Sequence, residues 1–173
     1  GLPLPGMAVR IDNPEADGTG VIATRGAQLF AGYERHGRLE RPHPGDAWFA
    51  TGDRGRLVDG GLIVIGRRDD VIVSGGEKID PAEVEEALLA HPAIGEAAVC
   101  GLPDSEWGQV VAAALVSRSV DRPSDADLAE WVQQRLSAWK RPRRWTWMAH
   151  LPRLANGKLR RALLAPLFTA EEH

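Results

Sequence analysis

The spacing of hydrophobic and polar positions changes character a little over a third of the way along this 173-residue chain. Up to about residue 65 the apolar positions come in short alternating or continuous runs, residues 7–11 and 20–24 among them, separated by Gly, Pro, Asn and Asp. That is the pattern of short strands joined by tight turns. Residues 54–58 and 62–65 flank Asp59-Gly60-Gly61, which predicts a hairpin. Beyond Arg67 strand-like runs alternate with helix-like ones, starting from Val71-Ile72-Val73, so a boundary is expected near residues 66–70.

In the second part, Asp80-Pro81-Ala82-Glu83 places a capping carboxylate, a proline at the first helical position and an acid three residues after the cap. A helix is therefore predicted from Pro81, burying Val84, Ala87 and Leu88 and ending at His91-Pro92, where the residue before proline is pushed out of the α region. Residues 94–102 and 109–117 read as strands joined by a polar loop over 103–108. Ser124 with Asp127 caps a second helix whose Leu128, Trp131, Val132 and Leu136 share a face. A strand over 144–148 and a short helix over 159–168 complete an α+β fold: a β-rich segment over residues 1–66, then a small domain over 67–173 with a short sheet and flanking helices. No internal repeat is evident.

Composition narrows the function classes. With 43% hydrophobic and 26% charged residues the chain can build a core, and its longest apolar run, residues 110–116, is far short of the roughly 20 residues of a membrane span. One cysteine, Cys100, excludes an internal disulfide and a Cys-based zinc site and fits a reducing, cytoplasmic setting. None of the five histidines, His36, His43, His91, His150 and His173, stands at metal-ligand spacing with another ligand. The net charge of -3 conceals an asymmetry: residues 140–161 carry eight bases and no acid, while residues 69–86 carry seven acids. The basic segment suggests a local anionic ligand rather than nucleic acid, and a solvated basic face would look the same.

Four short constellations could carry chemistry. Trp48-Phe49-Ala50-Thr51-Gly52-Asp53 ends a strand in a glycine and a carboxylate able to accept from a ribose diol, or simply to satisfy a turn. Gly66-Arg67-Arg68-Asp69-Asp70 lies at the boundary and offers a guanidinium fork, or a salt-bridged strand end. Ser74-Gly75-Gly76-Glu77-Lys78 permits close backbone approach of a ligand chain, or forms a plain hairpin turn; it lacks the spacing of a phosphate-binding P-loop. Leu151-Pro152-Arg153-Leu154-Ala155-Asn156-Gly157-Lys158 puts a mobile ammonium after an Asn-Gly turn, able to neutralise charge on a transferring phosphoryl group or to sit idle on the surface. Trp107 could stack on an adenine, and Lys140, Arg141, Arg143 and Arg144 could meet phosphates.

Taken in order, the four resemble the C-terminal part of the adenylate-forming superfamily of acyl-CoA synthetases, peptide-synthetase adenylation domains and luciferases. The match runs from Gly18 to Arg161, with Thr19 and Val21 where glutamate and leucine are usual and Leu154 in place of a common threonine. The resemblance implies that Asp53 holds the ATP ribose hydroxyls with help from Arg67, that Asp69 is the hinge of a mobile domain, that Gly75 and Gly76 line a pantetheine tunnel, and that Lys158 is catalytic in adenylation. It implies ATP, Mg2+ and coenzyme A as cofactor and substrates, a small carboxylic acid as the partner substrate, and a large N-terminal domain, carrying the phosphate loop and acyl pocket, upstream of Gly1. A homodimer is left open.

The wording of residues 69–79 is similar to the CoA-ligase branch. Gly101-Leu102-Pro103-Asp104-Ser105-Glu106-Trp107-Gly108-Gln109 is similar to o-succinylbenzoate-CoA ligases of menaquinone synthesis. A fatty-acid or aryl-acid CoA ligase, or a non-catalytic nucleotide- or CoA-binding docking module, are the competing readings. On any of them the chain alone, without a phosphate loop, is expected to be inactive.

Overall fold

The computed structural model describes residues 1–42, 47–120 and 122–169, so the readings placed on His43 and His173 lie outside the described residues. The chain divides into two compact units, Gly1–Asp69 and Asp70–His173. The division falls at Asp69/Asp70, where the last strand of the first unit has run on through Arg67 and a 3-10 turn over Arg68–Asp70 follows it.

The first unit is a four-stranded antiparallel sheet in the order β1-β2-β5-β6, formed by β1 (Met7–Asp12), β2 (Gly20–Gly26), β5 (Phe49–Val58) and β6 (Gly61–Arg67). A small hairpin of β3 (Tyr33–Arg35) and β4 (Arg38–Glu40), not visible in the apolar pattern because its residues are exposed, lies between β2 and β5 in sequence. The predicted β5–β6 hairpin forms with Asp59 and Gly60 both at positive φ. Among the described residues of this unit, the buried hydrophobic ones are Ile22 and Ala23, and Leu57, Val58, Ile63 and Val64 are exposed on the hairpin.

The second unit opens with a hairpin of β7 (Ile72–Ser74) and β8 (Glu77–Ile79), followed by α1 (Pro81–Leu89), β9 (Ile94–Asp104), β10 (Gly108–Ser117), α2 (Asp125–Gln133) and β11 (Arg144–Met148). Its three-stranded sheet has the order β11-β10-β9; β9 and β10 pair antiparallel, and β10 and β11 pair parallel across the α2 crossover. The apolar run over residues 110–116 is explained by β10 being central with both faces covered. Val111, Ala113 and Leu115 point into a cluster with Val84 and Leu88 of α1 and Leu128 and Val132 of α2. Val110, Ala112 and Ala114 point the other way, onto Leu151, Leu164 and Phe168 of the C-terminal segment. Alternate residues of one strand thus feed two cores.

Both helices begin as their caps dictate. The Asp80 side chain accepts from the Ala82 amide at 3.0 Å, and Ser124 and Asp127 form a reciprocal capping box. The Trp131 indole donates to the Ala87 carbonyl at 2.9 Å, tying α2 to α1. Two expectations are corrected. Leu136 is buried but lies beyond the end of α2. The helix expected over 159–168 is instead a bridged Leu159, a 3-10 turn over Arg161–Leu163 and a short α3 (Ala165–Thr169). The reason is local: backbone hydrogen bonding turns residues 153–160 back on themselves, with the Leu154 amide on the Lys158 carbonyl and the Arg160 amide on the Pro152 carbonyl, both 2.8 Å.

Candidate functional site

In the first unit, Asp53 on β5 and Arg67 on β6 are cross-strand partners, and Arg67 Nη1 donates to Asp53 Oδ1 at 3.2 Å. Thr51 fixes the approach: its hydroxyl donates to the Ile22 carbonyl at 2.8 Å and accepts from the Asp53 amide at 3.1 Å. Gly52 makes room for the guanidinium, since a β-carbon there would lie 2.6 Å from Arg67 Nη2. Both charged side chains remain about half exposed, so the carboxylate keeps lone pairs for a diol while the guanidinium faces solvent. Asp69, in the 3-10 turn over Arg68–Asp70, is exposed and meets Arg68 at 3.5 Å.

In the second unit, Gly75 and Gly76 form the turn between β7 and β8 with φ of +58° and +87°. Both of the readings open for them are therefore compatible with one geometry, a hairpin whose backbone is bare. Trp107 lies directly against Gly75: the Gly75 amide donates to the Trp107 carbonyl at 2.9 Å, and a β-carbon on Gly75 would lie 2.7 Å from Trp107 Cε3. Trp107 is held in turn by Asp104, whose Oδ1 accepts from the Glu106 and Trp107 amides at 2.9 Å each. Those two amides, the Trp107 one first, hold the Asp104 carboxyl below the ordinary range. The Arg143 guanidinium stacks over the Trp107 ring, 4.6 Å from its centre. Trp107 Nε1 is buried without a hydrogen-bond partner among the described residues.

Gln109, which the sequence marks as the end of the 101–109 segment without a role of its own, fixes the strand that leads to the glycines, accepting from the Val73 amide at 2.8 Å while packing against Gly101. Only its place directly after Trp107-Gly108 could have marked that role.

Lys158 is exposed at the end of the tight turn over residues 154–158, where the Gly157 amide donates to the Leu154 carbonyl at 2.8 Å. The basic segment around it is partly neutralised within the unit. Lys140 pairs with Glu83 at 2.6 Å, Arg141 donates to the Leu136 and Gln133 carbonyls, and Arg161 pairs with Asp70 at 3.2 Å and Glu85 at 2.5 Å. The acidic and basic runs seen in the sequence therefore meet across this unit. No set of three potential metal ligands occurs among the described residues.

The model of the AMP-binding enzyme C-terminal domain matches residues 83–158, from the first turn of α1 to the lysine. By that match residues 83–158 are similar to the AMP-binding enzyme C-terminal domain. The domain's match ends on Lys158 and takes in the Asp104–Trp107 turn. A 2-succinylbenzoate–CoA ligase of Bacillus licheniformis is 40% identical over 170 residues, covering 93% of this chain and 34% of that protein. A sulfoacetate–CoA ligase of Cupriavidus necator is 39% identical over 158 residues, covering 90% and 31%. Among solved structures, o-succinylbenzoate CoA synthetase (MenE) from Bacillus subtilis in complex with its acyl-adenylate intermediate superimposes with a TM-score of 0.82 at 38% identity, over 94% of this chain and 34% of that one. ATP-bound MatB from Rhodopseudomonas palustris gives 0.87 at 28% identity, over 97% and 35%. The chain thus spans about a third of the length of the relatives it matches.

Proposed function

We propose that this chain is the C-terminal part of an ATP-dependent acid–CoA ligase, with o-succinylbenzoate as the acid. In the reaction proposed, a carboxylate oxygen attacks the ATP α-phosphorus, pyrophosphate leaves, and an acyl-adenylate forms. The CoA thiol then attacks the acyl carbon, loses its proton, and AMP departs with the electron pair. Activation is needed because a free carboxylate is a poor acyl donor, and Mg2+ carried on the triphosphate screens its charge when bound.

The observation that carries this reading is the placement of Lys158: an exposed ammonium on a hydrogen-bonded turn, at the C-terminal limit of the family match. There it can stabilise negative charge growing at the α-phosphate. Asp53, its carboxylate set by Thr51 and Arg67, takes the ribose diol. Asp69 is the pivot between residues 1–66, the end of a large adenylation domain, and the mobile domain that follows. The thin core of the first unit and its exposed Leu57, Val58, Ile63 and Val64 support its being one edge of something larger. Gly75 and Gly76 give pantetheine a bare backbone to pass, with the Trp107 ring beside them as a stacking surface for the CoA adenine. The ligase names shared by the relatives support the reaction class, and the recurrence of 2-succinylbenzoate among them supports the acid.

The test uses the ligase that contains this chain. Lys158→Ala should abolish acid-dependent pyrophosphate exchange and spare thioester formation from supplied o-succinylbenzoyl-adenylate. Equal loss of both steps refutes the division of labour. The isolated 173-residue chain should show no exchange; exchange by it alone, or turnover of other acids in preference to o-succinylbenzoate, would overturn the corresponding part of the proposal.

A further inference from the structure

The peptide group between Gly157 and Lys158 is held at both ends by side chains. Its N–H donates to Asn156 Oδ1 at 3.1 Å, and its C=O accepts from Arg153 Nη1 at 3.0 Å. The same guanidinium reaches the Glu96 carboxylate through Nη2. Glu96 lies on β9, in register with Val116 of β10, so its backbone belongs to the sheet that carries the core. Arg153 itself is bridged to Leu159 and follows Leu151, which is buried. One planar fork therefore spans from a sheet strand to the carbonyl directly preceding Lys158, a geometry that an ammonium, a single point of charge, could not supply.

We propose that Arg153, backed by Glu96, is a positioning residue for Lys158. It fixes the plane of the 157–158 peptide, and so the direction in which the lysine leaves the turn. The inference rests on the reading of Lys158 as the adenylation lysine and adds to it the residues that aim it. An exposed ion pair alone contributes little. Here the guanidinium also makes a charge-assisted bond to a carbonyl inside a turn where glycine otherwise leaves the backbone free to rotate. Loss of both contacts should cost about tenfold in the population of the ordered turn.

Amide hydrogen exchange of the 173-residue chain reads the clamp without any activity. Arg153→Ala should speed exchange at Leu154 and Gly157 about tenfold, and Glu96→Gln, which leaves the arginine its carbonyl, by less. Exchange within twofold of the parent chain in Arg153→Ala overturns the proposal. In the ligase containing this chain, Arg153→Ala should lower kcat for adenylation about tenfold with the KM for ATP unchanged, while Arg153→Lys recovers only part of the loss. A normal adenylation kcat in Arg153→Ala, where Lys158→Ala abolishes the step, also overturns it. If Lys158→Ala leaves adenylation intact, the role of Lys158 is what fails; faster exchange in Arg153→Ala then still supports the clamp as an ordering device for the turn.

Discussion

Gly75→Ala is the most informative single change in the second unit. At φ of +58° an L-residue costs roughly 1–2 kcal/mol relative to glycine. In addition, the new methyl would lie 2.7 Å from Trp107 Cε3 and 3.0 Å from Cζ3, inside van der Waals contact. The ring cannot simply swing away. The Asp104 carboxylate holds the Trp107 amide, the Gly75 amide holds its carbonyl, and Arg143 covers the ring. Overpacking of this kind costs about 1–3 kcal/mol, for a total of roughly 2–4 kcal/mol. In a unit of about 100 residues that corresponds to a fall in Tm on the order of 10–20 °C. Gly76→Ala is the built-in control: its φ is +87° but nothing lies within 4 Å of its β-carbon position, so it should carry the conformational cost alone. Thermal and urea denaturation of the parent chain, both variants, and Gly75→Ala with Trp107→Ala would separate the two contributions. If Gly75→Ala matches Gly76→Ala, or if removing the ring does not narrow the gap between them, the steric argument is wrong.

Two further outcomes follow from the buried charges and the thiol. Arg161→Met should destabilise the second unit by about 2–3 kcal/mol, less than a fully buried pair because 22% of the side chain is exposed; adding Glu85→Met should restore part of the loss in urea unfolding, and a larger loss in the double variant refutes the pairing. Burial pushes the Cys100 thiol up to about 11 from an ordinary 9.0, with Arg161 opposing and Glu85 adding to the shift. The folded state therefore favours the protonated thiol, and this contribution is complete below pH 9 and lost as pH rises through about 11. Stability should fall more steeply over that interval in the parent chain than in Cys100→Ala, and equal slopes would show that the thiol is not coupled to folding.

Much of this architecture follows from local rules that act wherever their residues occur. Asp80-Pro81 and Ser124 with Asp127 start helices because their side chains satisfy amides that no helix can satisfy itself, and Asp59-Gly60-Gly61 turns a hairpin because it tolerates positive φ. The order of the motifs likewise carried the resemblance to adenylate-forming enzymes, and Asp53 and Arg67 could be named before their strands were known to pair. The β3–β4 hairpin escaped because exposed residues carry no periodic signal, and the C-terminal helix was overread because Leu159 and Phe168 are apolar for different reasons, one beside a bridged turn and one in the second core.

What the sequence determined by itself is the α+β class and the capped helices, along with the short motifs on which the proposed site rests, since each depends on neighbours a few positions away. What only the tertiary structure decided is which distant residues meet. Trp107 stands on Gly75, Gln109 pins Val73, Arg161 joins Asp70 to Glu85, and Arg153 links Glu96 to the carbonyl before Lys158. These contacts join residues on separate elements, and no one-dimensional pattern encodes them. They exist because β10, covered on both faces, draws α1, α2 and the C-terminal segment onto one sheet and so brings the basic tail against the acidic start of the unit.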